Sequence, residues 1–424
     1  MFWTPETRFE RLVRNFVSNC VTRPPVETGP SNSMSAKSKS ESAETILTHA
    51  GRYPGEQHGF VNTPVSRGST VLFSTLDEFE KGKQHYRYAR RGTPNSRSVE
   101  EVITALEHAD GTVLAPSGLA AVTTALLSAL KPGDELLMTD SAYQPTRHFC
   151  ETVLKKMGIK TRYYDPAVGG GIAELVTPGI AAVFIESPGS LTFEMQDLRA
   201  IVEAAHAHKA RVLVDNTWAT PLYHQPLLLG ADIVIHAGTK MIVGHSDAMF
   251  GIAAARGDAW NDLRRMHGAL GMCASPDDCF LAARGLRTLA LRMKEHSARS
   301  IDLAAWLASK KPVVRVRHPA LPGDPGHEIF SRDFSGAGSL FGLELAPASR
   351  DAVAAMLDGM KLFGMGFSWG GFESLIIPAN PAPARSAVPW NSSTNLFRLH
   401  IGFEDIDDLK QDLEEGLKRY LSLA

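Results

Sequence analysis

A chain of 424 residues is too long for one small hydrophobic core, so two or three domains are expected. Its hydrophobic content of 44% and charged content of 21% are those of a soluble globular enzyme, and no apolar run is long enough to cross a bilayer as a helix. The formal net charge of -2 excludes a strongly basic surface, so neither nucleic acid nor an acidic membrane is expected as the main partner.

Residues 1–42 read as a disordered leader. Pro24-Pro25 and Gly29-Pro30 precede Ser31, Ser33, Ser35, Ser38 and Ser40, a polar run unable to bury a core. Phe9, Leu12, Val13, Phe16 and Val17 are spaced for a short amphipathic helix, while Glu6 and Glu10 argue against a secretory signal. The four cysteines, Cys20, Cys150, Cys273 and Cys279, have no C-x-x-C spacing and no clustered histidine. They point away from a metal site or a disulfide framework and toward a reducing, cytoplasmic setting.

From Thr45 the composition becomes that of a folded chain, first as a loop-rich arm punctuated by Gly51, Gly55, Gly59 and Pro64. Tyr88, Arg90 and Arg91 lie close together in this arm. They form either a solvated basic loop or an anion-binding cluster, since guanidinium forks match phosphate and carboxylate. Ser98 to Ala109 is predicted as a helix with Ser98 as its cap. The next unit is a strand (Thr112 to Ala115), a turn (Pro116-Ser117-Gly118) and an apolar helix (Leu119 to Leu130). Backbone N–H groups at such a helix start can take a phosphate. A strand at Glu135 to Thr139 then runs into a loop carrying Tyr143.

The alternation continues with a strand at Ala181 to Ile185, a helix at Leu198 to His208 and a strand at Arg211 to Asp215. The β-branched run Asp232 to His236 follows. This order predicts a mostly parallel sheet covered by helices on both faces, with ligands beyond the carboxyl ends of its strands. Ser117, Tyr143, Ser187, Asp215 and Lys240 all fall at such ends. Lys240 follows Ala237-Gly238-Thr239. If it is held away from water its ammonium pKa falls, which makes the amine a nucleophile able to form a Schiff base; otherwise it is a solvated surface lysine.

After about Arg287 the rhythm changes. A helix at Ala290 to Leu307, a strand ending at Val316, a strand at Ser339 to Leu345, a helix at Asp351 to Leu357 and a strand at Ser374 to Ile377 read as an α+β domain. The segment from Pro378 to Ser393 reads as a loop rich in Pro, Ala and Ser. In the strand from Asn395 to Gly402, alternation puts Leu396, Arg398 and His400 on one face, with Arg398 directed either into a cleft or to water.

Seven stretches carry a resemblance to a known family. They are Tyr88-Ala89-Arg90-Arg91-Gly92-Thr93, Ala142-Tyr143-Gln144-Pro145, Glu186-Ser187-Pro188-Gly189-Ser190, Val214-Asp215-Asn216-Thr217-Trp218, Ala237-Gly238-Thr239-Lys240, Gly244-His245-Ser246-Asp247-Ala248 and Ser368-Trp369-Gly370-Gly371-Phe372-Glu373-Ser374-Leu375. From about Thr45 to its end the chain resembles the Cys/Met-metabolism family of pyridoxal-phosphate (PLP) enzymes, and within it the bacterial cystathionine β-lyases. The resemblance implies a fold type I, aspartate aminotransferase-like α/β architecture. It divides the chain into an arm at 43–92, a PLP-binding domain at 93–287 and a smaller α+β domain at 288–424.

The same resemblance implies roles for individual residues. Lys240 would hold pyridoxal 5'-phosphate covalently and serve as acid and base. Asp215 would face the pyridine nitrogen and keep the ring protonated. Tyr143 would stack on the ring and assist proton transfer. Ser117, Gly118, Leu119 and Thr239 would hold the phosphate, joined by Tyr88 and Arg90 from a neighbouring subunit of a homotetramer (a dimer of dimers). Arg398 would clamp the substrate carboxylate, with Ser368 placing Lys240 and with Trp369 and Arg91 toward the substrate. The implied reaction is β-elimination from a small amino-acid substrate, cystathionine, with cystine and related S-conjugates also accepted.

Trp369 and the Ala142-Tyr143-Gln144-Pro145 segment favour the β-lyase over γ-synthase, γ-lyase or sulfhydrylase relatives. Two residues depart from the β-lyase pattern: His148 stands where an acidic residue is usual, and Phe367 replaces a tyrosine. An NAD enzyme is disfavoured, because Pro116-Ser117-Gly118 lacks G-x-G-x-x-G.

Overall fold

The computed structural model describes residues 41–82 and 84–424. The leader predicted at 1–42, with Cys20, therefore lies almost wholly outside the described residues.

The sheet that organises the chain follows from runs such as Val212-Leu213-Val214 and Ile233-Val234-Ile235, all of them fully buried. Alternate residues face opposite sides, and each side has its own core. Val212, Val214 and Val234 pack with Val99, Val102 and Ile103 of the helix Pro94–Glu107 and with Ile201 of the helix Leu198–Ala207. Leu213, Ile233 and Ile235 pack with Ala121, Val122 and Leu126 of the helix Gly118–Ala129 on the other side. Burying one such Val, Leu or Ile contributes about 1.5–3 kcal/mol, so a strand that is apolar on both faces is stable only between two helical layers.

Seven strands form this sheet: β1 (Gly111–Ala115), β2 (Glu135–Thr139), β3 (Lys160–Tyr164), β4 (Ile180–Glu186), β5 (Arg211–Asp215), β6 (Ile233–His236) and β7 (Gly251–Ala255). Their order is β1-β7-β6-β5-β4-β2-β3. The block β6-β5-β4-β2-β3 is parallel, whereas β7 runs antiparallel to both β6 and β1. A second sheet of four antiparallel strands has the order β10-β11-β9-β8, from β8 (Val313–Arg317), β9 (Leu340–Leu345), β10 (Leu375–Ala379) and β11 (Asn395–His400). The 20-residue helix Leu289–Ala308 leads from the first sheet to the second. Ser42–Ala424 is one compact unit.

Three local expectations need correction. The helix predicted from Ser98 starts at Pro94, where Thr93 and Ser96 form a reciprocal capping box; Ser98 is buried inside it and donates to Pro94 O at 2.9 Å. The Tyr143 loop turns into a helix at Gln144. The loop-rich arm begins with a helix, Ala43–His49, whose Leu47 is buried in the larger core.

Candidate active site

At the carboxyl ends of β4, β5 and β6 lies a cavity of about 470 Å³. It is lined by Ser117, Gly118, Leu119, Tyr143, Asp215, Thr239, Lys240, Ser368, Trp369 and Arg398 from both sheets.

Lys240 is placed by a tight turn after β6, in which Lys240 N donates to Ala237 O at 3.0 Å and Gly244 N to Lys240 O at 2.8 Å. Small residues are needed here, because a Cβ on Gly238 would lie 2.7 Å from Phe250 Cδ1. The ammonium donates to Ser368 Oγ at 2.6 Å and lies 5.8 Å from the Trp369 ring centre. Burial and the nearby Arg398 charge lower its pKa to about 8, with Asp215 opposing. The amine is therefore held partly away from water, which favours the nucleophile reading over the solvated lysine.

Asp215 ends β5 in register with Ile235 of β6 and Glu186 of β4. Its Oδ1 accepts from the Thr217 amide at 3.0 Å and the Thr217 hydroxyl at 2.5 Å. That hydroxyl accepts in turn from Ala237 N at 2.8 Å, which ties the aspartate to the Lys240 turn. The other carboxylate oxygen has no protein donor among the described residues. Burial raises the Asp215 pKa, and the Thr217 hydrogen bonds oppose the rise.

Ser117 caps the Gly118–Ala129 helix by accepting from Ala120 N at 3.1 Å, which leaves the preceding two amides to face the cavity. Gly118 allows the close approach of Ala237, whose Cβ would lie 2.5 Å from an added Cβ. Thr239 reaches the same end, but its hydroxyl is bound to Phe250, accepting from N at 2.7 Å and donating to O at 3.2 Å. Tyr143 is half-exposed over the opening, and burial raises its phenol pKa. Arg398 donates to Ser368 O at 2.9 Å, and desolvation lowers its guanidinium to about 10.

Other sequence-predicted residues lie elsewhere. Ser187 is buried away from the cavity, accepting from Gln196 N at 3.0 Å. Its neighbour Glu186 takes the place expected for it. Sequence reasoning assigned Glu186 no role, although the motif contained it. Glu186 Oε2 accepts from Tyr143 N at 2.7 Å, and burial beside Asp215 holds its pKa well above the usual carboxylate range. Tyr88, Arg90 and Arg91 do not line this chain's own cavity. Arg90 donates to Gly268 O at 3.3 Å, and Arg91 borders a separate groove with Arg211, Asp262 and Arg265. His148 is exposed and outside the cavity lining, whereas Phe367 lines the cavity and is 91% exposed.

The residues present fit pyridoxal phosphate. A desolvated amine, a carboxylate with one free oxygen and uncapped helix amides face one cavity, as an aldehyde, a pyridine nitrogen and a phosphate require.

Comparison with known proteins agrees. The profile of the family described as "Cys/Met metabolism PLP-dependent enzyme" matches residues 44–418. A "Cystathionine beta-lyase" of Haemophilus influenzae is 41% identical over 88% of this chain and 98% of its own length. "Cystathionine beta-lyase MetC" of Escherichia coli is 39% identical over 89% of this chain and 98% of its own. Among solved structures, a cystathionine gamma synthase from Xanthomonas oryzae in complex with aminoacrylate and cysteine superposes with a TM-score of 0.84 at 33% identity, covering 90% of this chain and 99% of that one. The chain belongs to the Cys/Met-metabolism family of PLP-dependent enzymes.

Proposed function

We propose that the protein is a cystathionine β-lyase, a PLP-dependent carbon–sulfur lyase that converts L-cystathionine and water to homocysteine, pyruvate and ammonia. The observation that carries the reading is the Lys240 amine between Ser368 and Trp369, in a cavity that also holds Arg398. Bound PLP would supply the electron sink for negative charge developing at the substrate α-carbon.

The chain's own side chains do the rest. Lys240 would anchor the coenzyme, and its amine would take the α-proton and return a proton to the departing sulfur. Its pKa of about 8 suits both tasks near neutral pH. Asp215, held by Thr217, is the counter-charge for the ring nitrogen. The Gly118 and Leu119 amides would take the phosphate, with Ser117 fixing the helix start and the Thr239 hydroxyl held nearby by Phe250. Tyr143 would cover the ring face. Arg398 binds the α-carboxylate as a planar fork, and its Ser368 contact holds it beside Lys240. Ser368 and Trp369 set the side of the cavity where the thioether lies.

Tyr88, Arg90 and Arg91 lie outside their own chain's cavity, as residues serving a neighbour's site would; the homotetramer, a dimer of dimers with shared active sites, is what the family resemblance implies. Residues 43–92 are then an arm toward a neighbour, 93–287 the coenzyme domain and 288–424 the carboxylate-binding domain. No described helix is long and apolar enough to cross a membrane. With a small amino acid as substrate, a cytoplasmic location is proposed.

Incubation of the purified protein with L-cystathionine is expected to yield pyruvate and homocysteine. Cysteine and 2-oxobutanoate would instead assign γ-elimination on the same scaffold.

A further inference from the structure

Asp140, three residues before Tyr143, has no role in the chemistry above, yet its carboxylate is completely buried. It is also densely hydrogen-bonded. Its two oxygens accept from Ser386 N at 2.9 and 3.0 Å, from Ser386 Oγ at 3.0 Å, from Ala387 N at 2.9 Å and from Val388 N at 2.9 Å. Arg147 Nη1 donates to it at 2.8 Å, and Arg147 Nη2 donates to Ser386 Oγ at 3.0 Å. Burial opposes the charged form, but the Val388 and Ser386 amides and the Arg147 guanidinium outweigh it and hold the Asp140 pKa below its ordinary value. Arg147 is itself clamped, with its guanidinium carbon 3.6 Å from the Tyr163 ring centre.

These partners are far apart in sequence. Asp140 and Arg147 bracket the segment that carries Tyr143. Ser386 to Val388 belong to the connection between β10 and β11, and Arg398 stands on β11 in register with Ile377 of β10. The contact therefore joins the segments that carry Tyr143 and Arg398, both of which line the cavity. The segment after β4 is attached as well, because Ser190 N donates to Ser141 O at 2.8 Å and Arg385 Nη2 donates to Glu194 Oε1 at 2.6 Å. A loop rich in Pro, Ala and Ser has few hydrogen bonds of its own, so this carboxylate supplies an anchor it would otherwise lack.

We propose that Asp140 is a positioning residue that ties the Arg398 hairpin to the Tyr143 segment and so sets the distance between the substrate carboxylate clamp and the coenzyme ring. The tether touches neither substrate nor coenzyme. It acts on how well Arg398 and Tyr143 fit one substrate molecule together, and a misplacement of about 1 Å costs up to 10²-fold in such a site.

The test is D140N in the holoenzyme. Asparagine keeps the size, removes the charge and turns an N–H toward groups that are already donors. The expected result is a KM for cystathionine raised by about tenfold or more, with the coenzyme absorbance and its tightness of binding as in the wild type. Hydrogen exchange at the Ser386, Ala387 and Val388 amides, slow in the wild-type holoenzyme, should quicken in the variant. Unchanged KM with those amides still protected overturns the proposal, and so does a KM that rises only together with coenzyme loss. Should D140N fail to accumulate folded, S386A removes one hydroxyl that donates to Asp140 and accepts from Arg147, and should raise KM in the same direction by a smaller factor; no change there also overturns it. Only the KM measurement rests on the proposed reaction. Wild type without cystathionine turnover would count against that reaction, while fast wild-type exchange at the three amides would count against the tether.

Discussion

Lys240 and Ser368, 128 residues apart in sequence, meet at 2.6 Å between Nζ and Oγ, the turn after β6 supplying the amine and the segment before β10 its acceptor. Ser368 pays a conformational cost for this position, since its φ is 73°, in the left-handed region that side chains other than glycine disfavour. The two halves of the chain are therefore joined at the Lys240 amine itself.

This geometry separates stability from activity. Ser368→Gly relieves the backbone and is expected to be about 1 kcal/mol more stable than Ser368→Ala. Both variants lose the Lys240 acceptor, so both should fall in kcat by about tenfold or more. Thermal melting and steady-state kinetics on the two variants check this. Equal stability would mean that the left-handed turn carries no strain.

Lys240→Ala should abolish borohydride trapping of the coenzyme on the peptide containing residue 240 and reduce pyruvate formation by roughly 10³-fold or more. Mass spectrometry of the reduced, digested protein reads the first outcome. Trapping at another lysine would remove the basis of the proposed reaction.

The lowered pKa of Lys240 sets the sign of a pH effect. Only the unprotonated amine attacks an aldehyde, and its fraction grows as pH rises through about 8. Recombination of coenzyme-stripped protein with pyridoxal phosphate should therefore speed up from pH 7 to 9 and level off above it. For stability, the folded form binds fewer protons than the unfolded chain between about 8 and the ordinary lysine value of 10.5, so this group's contribution improves with rising pH across that window.

Arg398→Ala should raise KM for cystathionine by about 10²-fold, and Arg398→Lys should recover only part of the loss, because an ammonium cannot form the two parallel bonds of a guanidinium. A lysine variant equal to wild type would show that charge alone suffices.

Gly118→Ala puts a methyl group 2.5 Å from Ala237 Cβ, between the start of the Gly118–Ala129 helix and the Lys240 turn. The coenzyme-free protein should lose about 1–3 kcal/mol of stability, and the coenzyme should dissociate more readily. Denaturant unfolding and equilibrium dialysis measure the two effects.

Several features were legible from residue types because local pattern dictates them. Val212 to Val214 and Ile233 to Ile235 can be stable only as strands buried on both faces, so Asp215 and the lysine beyond His236 had to emerge at one edge of a parallel sheet. β7 was not legible. Gly251-Ile252-Ala253-Ala254-Ala255 has the composition of a helix, and it is a strand because small residues alone fit under the Gly118–Ala129 helix, where a Cβ on Gly251 would lie 2.0 Å from Ser117 O. Glu186 and Ser187 were transposed in role for a related reason. Successive side chains at a strand end point in opposite directions, and only the end point of β4 decides which one enters the cavity.

The sequence by itself determined the larger-sheet half of this protein: the order of buried strands, the amine after β6, the acid ending β5 and the free helix start beside them. These follow from hydrophobic periodicity and turn chemistry, which act between near neighbours along the chain. Tertiary structure alone decided which distant groups meet, such as Ser368 with Lys240, Arg398 with the Ser368 carbonyl, and Asp140 with the amides of Ser386 to Val388. Such contacts depend on how two sheets pack against one another, and no local pattern of side chains encodes that distance.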